Sequence, residues 1–211
     1  MPIIHEIENI TIDKKKDNEF SIENETEFDL GIISDFFDKS DIISKSEKQI
    51  KFKALEVEPL KAILKKNDNK LEYMMVVNLL HNLASIKNKL EKEGLMFVNL
   101  DIGDIIVIDS SKFLFINYNN IYEINKKEIV VDKVLKLSDL NEKSMKEIDE
   151  IPFRISIKSV YYNIANLLVY CLFNKVYKDE ETINPIYYTK LYWFLTRCLN
   201  NNRDDRVFLF I

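Results

Sequence analysis

Glycine is nearly missing from this chain. Only Gly31, Gly94 and Gly103 occur in 211 residues, and none precedes position 31. A glycine-rich loop in the first strands, through which backbone amides could close around phosphates, is therefore excluded. Cysteine is as scarce: Cys171 and Cys198 both sit in apolar, helical-looking stretches, VYCLF and LTRCLN, and read as buried free thiols. With His5 and His81 as the only histidines, no zinc-type ligand spacing exists. His81 falls in an apolar helical pattern and reads as structural. No run of about 18 apolar residues is present, so no membrane span is expected. The opening MPIIHEIENI is too acidic and too poor in apolar residues for a secretory signal, which makes a cytoplasmic compartment the expectation. The net charge is -5 and the basic residues are scattered, so nothing draws the chain towards nucleic acid.

What is present is skewed. There are 29 Ile, 26 Lys and 21 Asn against 4 Ala and 4 Arg. Those preferences track AT-rich codons, and fit a large DNA virus as well as some parasites and bacteria. The 46% hydrophobic and 31% charged content is ordinary for a globular chain, long enough for one core or two small lobes.

Residues 1–55 read as short strands divided by polar turns. IIHEIENITI offers Ile4, Ile10 and Ile12 as inward positions, KKKDN is a charged turn, and EFSIE and EFDLGII are strand candidates. DFFDKSDIISKSEK fits a helix or a loop equally. QIKFKAL alternates Ile50, Phe52 and Ala54 as a strand does. Pro59 breaks that pattern and LKAILKK predicts a short helix. The firmest helix covers residues 71–92, where Val76, Leu79, Leu80, Leu83, Ile86 and Leu90 recur at spacings of three and four before Gly94. Strands at 104–108 and 112–116 follow, joined by Asp109, Ser110 and Ser111. Residues 120–150 give no clear pattern beyond apolar Val131, Val134, Leu135, Leu137 and Leu140. Helices are expected over 158–174, buried nearly all round, and over 187–200, with Pro185 in the gap between them.

Residues 94–119, GLMFVNLDIGDIIVIDSSKFLFINYN, resemble the catalytic core of a protein kinase with its catalytic side chains replaced. Where a kinase reads H-R-D-L-x-x-x-N, this chain reads Phe97-Val98-Asn99-Leu100 and then Asp104; where D-F-G is expected stands Asn117-Tyr118-Asn119. SVYYNIANLLVYCLF is similar to the kinase helix S-x-D-x-W-S-L-G, with Tyr162 at the aromatic position and Ala165 at the small one; Val160 replaces the anchoring Asp. LYWFLTRCLNNNRDDR is similar to L-x-x-x-C-L-x-x-D-P-x-x-R, and Arg206 matches the arginine that pairs with the Glu of A-P-E. A-P-E itself is not recognisable; Asp139 or Glu142 is the stand-in the resemblance offers. The resemblance spans roughly Gln49 to the C-terminus. It implies an α+β, protein kinase-like fold with a small β-rich lobe over residues 1–57 and a mainly helical lobe over 58–211.

It also implies lost chemistry. A carboxylate serves as base in a kinase, and Asn99 has no useful proton affinity. Asn117 offers magnesium one neutral carbonyl instead of a carboxylate. Asp101 reverses the sign of the loop lysine, and Asp104, in place of the loop asparagine, is the one change that favours a metal ion. Two such carboxylates at 4 Å would repel by ~1–4 kcal/mol. No V-A-I-K lysine is visible; Lys39, Lys45 and Lys48 lie in the ambiguous stretch where one would be sought. The plainer expectation is that Asn99 and Asn117 are turn asparagines and that Asp101 and Asp104 are solvated loop carboxylates.

The expected function is thus that of a pseudokinase: no catalytic residues, no cofactor, and a role as interaction, scaffold or structural protein. Its partner would be a protein, such as a virion component or a kinase, in the host cytoplasm or virion if the source is viral. Phe208, Phe210 and Ile211 are a docking candidate, against the simpler reading that this tail packs on its own domain. The alternative is a divergent serine/threonine kinase using Mg-ATP, with Asp101 or Asp104 as base and metal ligand and a lysine from 39–51. An unrelated α+β domain is the third reading.

Overall fold

Local turn chemistry sets the first half of the chain, as a computed structural model of residues 2–133, 135 and 152–210 shows. Strands β1 (Ile3–Ile7) and β2 (Ile10–Lys16) form a hairpin that turns at Glu8 and Asn9, with Glu8 at φ +46°. IIHEIENITI therefore spans two strands. Lys14 and Lys16 belong to β2, and the following turn is confined to Asp17 and Asn18. β3 (Glu19–Asn24), β4 (Ile42–Lys45) and β5 (Gln49–Lys53) complete an antiparallel sheet in the order β1-β2-β3-β5-β4. Ile10, Ile12, Phe20, Ile22, Ile50 and Phe52 line its buried face, the period-two pattern of half-buried strands.

EFDLGII does not form a strand. Asp29 accepts the Gly31 N–H at 2.7 Å, and residues Leu30–Phe36 wind into a 3-10 helix. An Asx side chain that takes a backbone donor two residues on competes with strand pairing, and here it prevails. The ambiguous segment after it supplies β4.

The connection out of this sheet is tied by a distant carboxylate. Asp109 Oδ1 accepts the N–H groups of Leu55 and Glu56 at 2.7 and 3.1 Å. β6 (Val57–Pro59) then pairs with β8 (Ile105–Ile108), which pairs with β9 (Lys112–Phe115). Helix α1 (Leu60–Lys66) starts directly after Pro59, which takes the N-cap position with an extended backbone. Helix α2 (Tyr73–Lys92) buries all six periodic residues and packs on β9, on β7 (Leu95–Phe97) and on α3 (Ile157–Phe173). At about 1.5–3 kcal/mol per buried aliphatic side chain, that face alone contributes on the order of 10 kcal/mol before chain entropy is charged. Gly94 follows at φ +72°, the left-handed conformation in which a helix commonly ends.

β10 (Ile121–Asn125) and β11 (Glu128–Val131) form a hairpin in the stretch that showed no pattern. With β12 (Phe153–Ser156) and β7 they make a sheet in the order β12-β11-β10-β7. The second part of the chain thus carries two small sheets besides its helices. Ser156 caps α3, and 13 of its residues are buried. Helix α4 (Lys190–Cys198) is shorter than expected because Thr189 Oγ1 caps it by accepting the Tyr192 N–H at 3.1 Å. Residues around Pro185 form the short 3-10 turns Glu180–Thr182 and Asn184–Ile186. The fold is α+β, and among the described residues no helix is long and apolar enough to cross a membrane.

Candidate functional site

Three segments converge where the sequence placed its candidate site. β7 runs into Val98, Asn99 and Leu100. Asn99 adopts φ +58°, a left-handed conformation that Asn tolerates better than most side chains, and it is buried. The identity of this residue is thus accounted for by its backbone.

Asp101 and Asp104 enclose the 3-10 turn Ile102–Asp104 as a reciprocal capping box. Asp101 Oδ1 accepts the Gly103 N–H at 3.0 Å, and Asp104 Oδ2 accepts the Asp101 N–H at 2.7 Å. The β8–β9 hairpin then returns the chain so that Asn117 Nδ2 donates to Asp104 Oδ1 at 2.8 Å. Asp104 is only 6% exposed. It is therefore not a solvated loop carboxylate, and Asn117, expected to serve local backbone groups, instead donates its Nδ2 to another side chain while its Oδ1 makes no cap bond to the 3-10 turn that follows.

Burial pushes the Asp104 carboxyl up to about 7. The bonds from Asn117 and from the Asp101 backbone oppose that rise, while the negative charges of Asp101 and Glu8 add to it. Glu8 comes from the turn of the first hairpin. The same hairpin is fastened to this segment by His5 Nε2, 2.9 Å from the carbonyl oxygen of Gly103. Neither Asp101 nor Asp104 forms an ion pair among the described residues.

The residues around Asn117 are enclosed as well. Tyr118 is buried, its ring stacked on Phe28 at 4.7 Å, and burial raises its phenol far above the ordinary value. Asn117 Oδ1, Asn119 Nδ2 and the hydroxyls of Tyr118 and Tyr122 are buried and find no hydrogen-bond partner among the described residues. Tyr122, close to Asp132 and Glu8, has its phenol pushed to about 12, mainly by burial.

Chemically, the arrangement is an internal acid-amide pair. A buried acid titrating near 7 has the proton affinity of a general acid or base. Here each Asp104 oxygen already accepts a bond, so its access to a substrate is limited. Among the described residues no group of three or more His, Cys, Asp or Glu side chains is placed to hold a metal ion. Lys45 reaches Ser34 Oγ at 3.3 Å and Lys48 reaches the carbonyl of Thr26, while Lys39 is exposed. The interactions of Lys45 and Lys48 thus lie within the first sheet and its loops.

The residues read as structural come together. The Arg206 guanidinium lies 4.7 Å from the Tyr162 ring centroid, its Nε donates to the Asn200 carbonyl at 2.8 Å, and Ala165 is fully buried one turn along α3. Asp139 and Glu142, with Val134, Leu137 and Leu140, lie outside the described residues. The two tail rings pack inward: Phe208 lies against Tyr161 and Phe194, and Phe210 against His81 and Phe194, as the simpler reading has it, while Ile211 lies outside the described residues. His81 is exposed on α2 and meets Phe210 edge-on. Cys171 and Cys198 are free and buried.

The sequence missed His5 and Glu8. A histidine and a glutamate in a strand hairpin carry no local signal that they will meet a loop about a hundred residues away. In comparisons with known proteins, no family matches the chain and no curated protein gives a significant match.

Proposed function

We propose that this chain is a pseudokinase: a kinase-like protein that has lost phosphoryl transfer and acts by binding a protein partner. The reading draws on the order of its elements. A five-stranded sheet, a short connection, a helix, the long helix α2, the segment ending at Asp104, a hairpin and Asn117 follow in the order the resemblance requires. On this reading residues 1–57 are the small lobe and residues 58–211 the large one.

The observation that carries the loss of chemistry is the closure of Asp104 on its neighbours. Its carboxylate is bonded to Asn117 and to the Asp101 backbone, with Glu8 close by and His5 fastening the first hairpin to Gly103. A magnesium-bound triphosphate would have to break these bonds and meet Asp101 and Glu8 in a partly enclosed site. Binding without catalysis makes a virion component or another kinase the first partner to test, following the likeness to shortened kinase-like proteins of large DNA viruses.

The test is a thermal-shift titration with ATP, with and without magnesium or manganese. A ligand at 100 times its Kd stabilises a protein by about 2.7 kcal/mol. No shift at millimolar ATP is expected. A metal-dependent shift that Asp104→Ala abolishes would replace this reading with that of a working nucleotide site, the first requirement of the divergent kinase.

A further inference from the structure

Large aromatic side chains are exposed together at one place in this fold. Tyr188 is 80% exposed, Trp193 47% and Tyr187 46%. Their rings are contiguous: Tyr187 lies 4.1 Å from Tyr188 and 6.3 Å from Trp193, centroid to centroid. Beneath them the buried Tyr192 holds the platform, 4.8 Å from Tyr187 and 5.1 Å from Trp193. The geometry is built by the backbone, because Tyr188 sits at φ +68° directly before the Thr189 cap of α4. A bulky residue held in that conformation in order to expose its ring is unusual.

Beside the platform lies a cavity of about 340 Å³, at the small end of the roughly 300–1,000 Å³ range of ligand pockets. Its wall includes Tyr177, Asp179, Glu180, Thr196 and Asn200, with Lys178 as the one cation among the described residues that line it. Asp179, Glu180 and the neighbouring Glu181 are exposed and form no ion pair among the described residues. Tyr192 links the two features. Thr196, on the cavity wall, donates its hydroxyl to the Tyr192 carbonyl at 3.0 Å, and the Tyr177 phenol on the same wall is close enough to Tyr192, Asp179 and Glu180 to feel their charges.

We propose that this surface docks a basic, arginine-bearing segment of a partner protein, with a guanidinium in the acidic cavity and the flanking chain across Tyr187, Tyr188 and Trp193. Charge complementarity selects the occupant. Carboxylates without cationic partners favour a guanidinium, and exposed indole and phenol faces attract the same group through their ring quadrupoles. An acidic segment would meet Asp179, Glu180 and Glu181, and a purely apolar one would leave them uncompensated. The inference names a partner surface for the binding role proposed above. Its test reads neither the cleft nor nucleotide, so either proposal can fail alone.

Trp193 is the sole tryptophan of the chain and reports from within the site. The experiment is a titration of the full chain with a capped peptide alternating arginine and serine, followed by Trp193 emission and by calorimetry. A matched glutamate–serine peptide is the control. A saturable change with the arginine peptide alone is expected, weakened about tenfold by Tyr188→Ala and again by the pair Asp179→Asn and Glu180→Gln. These positions are exposed, so circular dichroism of the variants should match the parent. The proposal is overturned by the absence of saturable binding at millimolar peptide, by an equal response to the glutamate peptide, or by unchanged affinity in the variants. Emission that changes with protein concentration in the absence of peptide would assign the face to a second copy of the chain, and would overturn it too.

Discussion

Asn117 and Asp104, thirteen residues apart, are joined by a 2.8 Å bond from the amide Nδ2 to the carboxyl Oδ1. The bond closes the β8–β9 hairpin at its open end, where the Ile116 N–H also donates to the Asp104 carbonyl at 2.8 Å. A position that the sequence marked as a metal ligand is thereby part of the framework of the fold.

The raised Asp104 carboxyl predicts a pH dependence with a definite sign. Its value is about 7 in the fold against 3.8 ordinarily, so between these limits the folded chain holds a proton that the unfolded chain releases. The favourable contribution is complete below about pH 4, declines as pH rises, and is gone above about 7. At 1.36 kcal/mol per pH unit the full range is on the order of 4 kcal/mol. Urea unfolding of the parent and of Asp104→Asn from pH 4 to 8 should show the difference between them changing in this direction. A difference independent of pH would sink the assignment, as would a carbon NMR titration of the Asp104 carboxyl with a midpoint near 4.

Arg206 is expected to resist conservative replacement. Lysine has no Nε to serve the Asn200 carbonyl and no planar face for the Tyr162 ring. Arg206→Lys should cost about 1–3 kcal/mol, read as a lower urea midpoint at unchanged m. A cost within about 0.5 kcal/mol of zero would mean that the stack is incidental.

What could be read in advance follows from how local each signal is. The α2 face, α1 and the β8–β9 strands were legible because their periodicity and turn residues sit within a few positions of one another. The β10–β11 hairpin was not, since its two-residue turn is Lys126-Lys127, both at positive φ, where Asn-Gly is the usual signal. The 3-10 helix at Leu30–Phe36 hid behind a strand-like apolar pattern that the Asp29 cap overrides. At the site, Asp104 and Asn117 were singled out by their likeness in position to the loop asparagine and the D-F-G aspartate of a kinase. Their bond to each other, and the arrival of His5 and Glu8, depend on tertiary packing that no window of sequence contains.

Lys87 is buried at 4% exposure, and its Nζ lies 2.7 Å from Glu91, 5.4 Å from the Tyr161 ring and 5.2 Å from Phe208. It therefore fastens the tail to α2 and α3. Lys87→Ala removes both the charge and the stem that packs against the rings, and should cost about 2 kcal/mol. Lys87→Met keeps the volume and leaves Glu91 half in water, so its cost should stay below about 1.5 kcal/mol. Chymotryptic cleavage at Phe208 should speed up in the alanine variant and much less in the methionine one. Equal rates in the two variants would show that the tail is held by its own rings alone.

Tyr188 offers a test of backbone strain that is separable from its ring. At φ +68° any side chain with a Cβ meets the following carbonyl at a cost of about 1–2 kcal/mol, from which glycine is exempt. Against this, glycine loses more freedom on folding, by about 0.5–1 kcal/mol relative to alanine. Tyr188→Ala and Tyr188→Gly remove the same ring contact with Tyr187, so their difference isolates the backbone. The glycine variant should be the more stable of the two by up to about 1 kcal/mol, the reverse of the order at an ordinary site. Both should weaken arginine-peptide binding equally. If alanine proves more stable, position 188 does not hold this conformation in solution and the exposed platform loses its fixed geometry.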